Sequence, residues 1–113
     1  MSTADAYKKV DALNPHACYT DEMVKALFSR DMFMISTTIF NDFELALQIP
    51  EVNEIKGIML KSKARGAGMS GSGSAVFGVF TSSRRAKKCY DNLCESYKEV
   101  FLCKPVSDGC KVL

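Results

Sequence analysis

The sequence has no tryptophan, one histidine and three prolines in 113 residues, and its 15 Lys plus Arg nearly balance 13 Asp plus Glu, leaving a net charge of +2. A balance so near neutral sets up no global field for nucleic acid or an anionic membrane. The single histidine, His16, and five cysteines without a CxxC pair leave a zinc site short of ligands. An odd number of cysteines suits free thiols better than a disulfide framework. No apolar run reaches the roughly 18 residues that span a bilayer, and the start, MSTADAYKK, lacks the basic-then-apolar order of a signal peptide. The expectation is a cytoplasmic protein with reduced thiols at Cys18, Cys89, Cys94, Cys103 and Cys110, of which Cys89 and Cys94 take the apolar side of a helix. A Cys/His nucleophile pair would have to use His16, whose Asn14-Pro15-His16 setting reads as a loop.

What is present fits one compact domain over 1–113, with no linker, repeat or low-complexity segment. Ser2-Thr3-Ala4-Asp5 reads as a helix start, with Ala6, Tyr7, Val10 and Leu13 on one face and Asn14-Pro15 as its end. A second helix begins near Thr20 and places Met23, Val24, Leu27 and Phe28 at helical spacing; the pattern from Asp31 to Phe40 continues helical. Asn41-Asp42-Phe43-Glu44 has capping-box spacing and opens a short helix, and Pro50 suits the first position of the next, whose stripe is Val52, Ile55, Ile58 and Met59. After Gly66 the pattern changes. Ala67-Gly68-Met69 and the apolar run 75–80 flank Ser70-Gly71-Ser72-Gly73-Ser74, which predicts a hairpin whose second strand is covered on both faces. Ser82 or Ser83 caps an amphipathic helix with Arg84, Arg85, Lys87 and Lys88 on its solvated side, and Glu99 to Val106 alternates as a closing strand. Helices gathered before a small antiparallel sheet, with a β-α-β finish, predict an α+β sandwich.

The residues with chemical potential lie in the glycine-serine loop. Glycines alternating with serines allow successive N–H groups to converge on one centre, and the hydroxyls add donors, which suits a phosphate. No Gly-Lys-Ser/Thr follows, so it is not a Walker A loop; a strand rather than a helix follows, so it is not a dinucleotide fingerprint. Composition alone favours a plain hairpin turn.

The longer string GAGMSGSGSAVFGVF resembles the third motif of the GHMP small-molecule kinases. Together with Ser2-Thr3-Ala4-Asp5-Ala6-Tyr7 and Phe40-Asn41-Asp42-Phe43-Glu44, in this order and spacing, it is most similar to the 4-diphosphocytidyl-2-C-methyl-D-erythritol kinases, over residues 2 to about 106. The resemblance implies a ferredoxin-like C-terminal domain, with the N-terminal ATP-binding domain and its catalytic Asp and Lys absent. It implies a part in ATP- and Mg²⁺-dependent phosphorylation of a CDP-linked methylerythritol in non-mevalonate isoprenoid synthesis. On this reading the chain alone binds no cofactor and is inactive, and its partner is the missing kinase domain, in cis or in trans. Neither nucleic acid nor membrane is expected.

Residue by residue, the resemblance sets Thr3 against the substrate, Tyr7 as one side of a stack on cytosine, and Ser70, Gly71, Ser72, Gly73 and Ser74 beside the phosphates. No catalytic residue and no metal ligand is carried over. Asn41, Asp42 and Glu44 match a family signature whose spacing favours a structural role, and Lys63 stands where relatives often end a helix with Gly, so that helix should stop less sharply. Two other readings remain open at this stage: the same domain of a homoserine or mevalonate kinase, or a stand-alone ferredoxin-like binding module.

Overall fold

The structure, a computed structural model, describes residues 2–13 and 18–112. Within them the chain forms α1 (Thr3–Asp11), α2 (Thr20–Ser29), α3 (Met32–Thr37), α4 (Asp42–Leu47), α5 (Pro50–Lys61), β1 (Gly66–Met69), β2 (Val76–Val79) and α6 (Ser83–Cys94). This is an α+β arrangement around an antiparallel hairpin. The expected helix stop at Asn14-Pro15 and the loop at His16 lie outside the described residues.

Local chemistry explains where most elements begin. The Ser2 hydroxyl accepts from the Asp5 N–H at 3.2 Å and donates to the Asp5 carboxylate at 2.8 Å, which satisfies an orphan donor at the start of α1. Pro50 occupies the first turn of α5, where a missing N–H costs nothing. Ser82, rather than Ser83, caps α6 by accepting from the Arg85 N–H at 3.3 Å. On the exposed side of α6, Lys87 pairs with Asp91 at 2.7 Å, and that hydrogen bond raises the Lys87 ammonium pKa above its ordinary value.

Two boundaries differ from expectation. Residues 31–40 do not continue α2: Arg30 turns left-handed (φ +55°), its N–H and that of Asp31 bond to Leu27 and Ala26 carbonyls, and Asp31 then caps a separate α3. At the end of α5, Lys63 is left-handed (φ +73°) and its N–H reaches Leu60 O at 3.0 Å, while Ala64 N–H reaches Met59 O at 3.0 Å. These two bonds make a Schellman stop, so the helix ends sharply although the residue is Lys.

The hairpin pairs Gly66 with Val79, Ala67 with Gly78, Gly68 with Phe77 and Met69 with Val76. Side chains alternate, so Ala67, Met69, Val76 and Gly78 share the face toward α5, and the other residues share the opposite face. Gly78 lies under Met59, and Gly68 lies where a Cβ would come within 2.8 Å of Ile39 Cγ2, so the chain after α3 closes on the sheet's second face. That cover is partial: Phe77 is 39% exposed, and β2 is not buried on both faces as its apolar run predicts. The segment 99–106, read as a closing strand, is not a strand. Its alternation forms no ladder with the hairpin.

Two core clusters hold these elements. Ala6, Leu47, Val52 and Met69 join α1, α4, α5 and β1, with Val52 1% exposed. Met59, Cys89 and Leu93 join α5 to α6, with Ala67, Val76 and Phe80 packed against them. Cys89 is buried as expected of a small hydrophobe, whereas Cys94 is exposed, contrary to its expected place on the apolar side.

Candidate functional site

The site is assembled from three pieces of chain. The start of α1 brings Ser2 and Thr3, the α4–α5 corner brings Leu47 and Ile49, and the hairpin tip brings Ser72, Gly73 and Ser74; together they line a hollow of about 230 Å³. Thr3 and the glycine loop, far apart in sequence, therefore face one space. Core packing causes this. Ala6, one turn beyond Thr3, is buried with Met69, the residue from which the loop departs.

The loop is shaped by its own turn and by side chains from α4. Gly71 (φ +57°) and Gly73 (φ +95°) take backbone conformations that side-chained residues adopt at a cost. Ser70 N–H bonds to Ala75 O at 2.8 Å and Gly73 N–H to Ser70 O at 3.2 Å. The N–H groups of Gly71, Ser72 and Ser74 have no hydrogen-bond partner among the described residues, nor have the hydroxyls of Ser70, Ser72 and Ser74. Such a set of donors is suited to an anion.

Asn41 and Glu44 attach the loop to α4. The Asn41 Oδ1 accepts from Phe43 N–H at 2.9 Å, as a helix cap should, while its Nδ2 donates to Met69 O at 2.7 Å and to Gly71 O at 2.9 Å. Glu44 departs from the capping box that its spacing predicts. Its Oε1 accepts from Met69 N–H at 2.7 Å and its Oε2 pairs with Lys56 of α5.

Tyr7 stands one helical turn from Thr3 on α1 but does not line the hollow. It is 56% exposed, with its ring edge-on to Phe43 at 5.0 Å and 89°. It is thus not a core tyrosine. Of the expected loop residues, Ser72, Gly73 and Ser74 line the hollow, and Ser70 and Gly71 do not. Among the described residues no group of three or more His, Cys, Asp or Glu could hold a metal, and no helix is long and apolar enough to cross a membrane.

A second hollow, of about 470 Å³, lies between α2, the end of α3 and β2, lined by Tyr19, Met23, Val24, Ile39, Phe40 and Phe77 with Cys18 at its edge. Tyr19 and Phe40 stack tilted there at 5.1 Å. Nothing in the sequence pattern marks it, because its residues read as ordinary helix faces.

The profile of the family described as GHMP kinases C terminal matches residues 23–99. A protein named 4-diphosphocytidyl-2-C-methyl-D-erythritol kinase from Thermoanaerobacter pseudethanolicus is 36% identical over 117 aligned residues, covering 99% of this chain and 40% of that protein. Proteins of the same name from Alkaliphilus metalliredigens and Clostridium kluyveri are 36% and 33% identical, over 95% and 94% of this chain and 38% and 39% of theirs. The chain thus spans about two-fifths of the length of these relatives. No solved structure matches.

Proposed function

We propose, from the fact that this chain belongs to the GHMP kinases C-terminal family, that it is the substrate-binding C-terminal part of an ATP-dependent kinase acting on 4-diphosphocytidyl-2-C-methyl-D-erythritol. The observation that carries the reading is the meeting of Thr3 with Ser72, Gly73 and Ser74 around one hollow. The likeness to kinases of that name over nearly the whole chain narrows it to this substrate.

In this reading Thr3 contacts the substrate, Tyr7 offers a ring face to cytosine, and the loop receives the phosphates. Base-to-ring stacking contributes about 1–3 kcal/mol per base. The three partnerless N–H groups and serine hydroxyls of the loop fit a phosphate of the substrate or of ATP. On this reading the protein ligands of Mg²⁺ come from the rest of the kinase, with the phosphates completing its shell. ATP supplies the phosphoryl group; this chain's residues orient the acceptor and place donors near the charge that develops in transfer.

Among the described residues, those lining the hollow include no ionisable side chain; on this reading the base activating the hydroxyl comes from an N-terminal kinase domain, in cis or in trans, and the isolated chain is inactive. The domain, 1–113, is on this reading the ferredoxin-like half of the kinase.

The test is a titration of the ¹⁵N-labelled chain with cytidine 5′-diphosphate. Shifts at Tyr7 and at Gly71, Ser72 and Ser74, with weaker response to homoserine or mevalonate, are expected. Silence at these residues at millimolar nucleotide would overturn the proposal, and a preference for homoserine or mevalonate would move the chain to another kinase of the superfamily.

A further inference from the structure

We infer that Asn41 and Glu44 are positioning residues that fix the direction of the Gly71–Ser72 peptide, and so determine which loop N–H groups are offered to an anionic ligand. The inference rests on the proposed function for the identity of that ligand, but the geometry that carries it is independent of the ligand.

Met69, where β1 ends, has both of its backbone polar groups held by side chains. Its N–H goes to Glu44 Oε1 at 2.7 Å and its carbonyl to Asn41 Nδ2 at 2.7 Å. The same Nδ2 also holds the Gly71 carbonyl at 2.9 Å. In a trans peptide the carbonyl and the following N–H point in opposite directions. Binding the Gly71 carbonyl therefore turns the Ser72 N–H away from Asn41, and Ser72 is one of the residues on the wall of the hollow. Left to itself, a loop with glycine at 71 and 73 could rotate this peptide at little cost.

Only an amide can do all that Asn41 does. Its oxygen caps α4 and its NH₂ serves two carbonyls; an aspartate keeps the cap but sets acceptors against acceptors, and a serine keeps the cap but is too short to bridge both carbonyls. Glu44 is partly buried, its side chain 21% exposed, and Lys56 supplies the opposite charge. The shared signature of these residues is thus connected to the loop directly, beyond opening a short helix.

The full chain, ¹⁵N-labelled, tests this through backbone order parameters, amide exchange and cytidine 5′-diphosphate binding. In Asn41→Asp, order parameters at Gly71 and Ser72 should fall from rigid values to below about 0.6, nucleotide binding should weaken about tenfold or more, and α5 should remain as ordered as before. Asn41→Ser should show the same loop loss without the added charge, and decides the matter if Asn41→Asp does not fold. In Glu44→Leu the Met69 amide should exchange about tenfold faster, whereas Glu44→Gln, whose oxygen can still accept, should restore protection. A rigid loop and unchanged binding in both Asn41 variants would overturn the inference, as would equal loss of order in the loop and in α5. If the unaltered chain fails to bind the nucleotide, the proposed function falls while the order parameters still judge the role of Asn41.

Discussion

The hairpin tip at 70–75 and the tail at 95–112 both lie outside helix and strand, and their compositions predict opposite fates. The tip has two glycines and four small residues with almost nothing to bury, yet α4 side chains bond to Met69 and Gly71 and fix its course. The tail carries apolar residues at strand spacing, yet Phe101 and Val106 are each 81% exposed. Val100 still packs against the α5–α6 core, and beyond it the apolar pattern contacts little. Apolar alternation organises a segment only when a partner edge takes up its backbone groups. A few well-placed side-chain amides and carboxylates can organise one that has no apolar content at all.

Four variants press on this contrast. Leu47→Ala removes a buried side chain from the cluster beneath the tip and should cost about 3 kcal/mol, read by chemical denaturation. Gly68→Ala forces a Cβ to 2.8 Å from Ile39 Cγ2 and 3.1 Å from Phe77 Cζ. It should cost about 2 kcal/mol by overpacking, and a melting temperature equal to the unaltered chain's would show that the chain after α3 does not close on the hairpin. Lys63→Gly, in the turn leading into β1, should stabilise by about 1 kcal/mol because glycine takes the left-handed conformation without a Cβ clash. The paired change Phe101→Ser and Val106→Ser should move stability by less than about 0.5 kcal/mol; a larger loss would reveal that the tail is anchored after all.

Elements marked by local chemistry were legible in the sequence. A cap within Ser2-Thr3, a cap at Ser82 or Ser83, Pro50 at the start of α5 and, Cys94 apart, the apolar side of α6 each depend on residues within one or two turns. The break at Arg30 and the sharp stop at Lys63 were not legible, since neither non-glycine residue advertises a left-handed conformation. The closing strand at 99–106 failed as an expectation because pairing is decided by a distant edge, not by alternation.

The site divides along the same line. That the loop has donors to spare was readable from its glycines and serines; that Thr3 belongs near it came from resemblance. The role of Asn41 and Glu44 was hidden, because their partners lie 28 and 25 residues away and local spacing offered a sufficient explanation in the helix cap. Hydroxyl and amide residues at caps are easily read as finished once the cap is named.

The hollow has walls from the first helical residues and from the hairpin tip, joined to each other only through the fold. Any molecule that touches both walls acts as a removable cross-link between them, absent from the unfolded chain. Its occupancy is therefore readable without any chemistry being catalysed: apparent stability should climb with the logarithm of ligand concentration, by about 2.7 kcal/mol at a hundredfold excess over the dissociation constant. For a chain expected to be inactive alone, heat resistance becomes the assay.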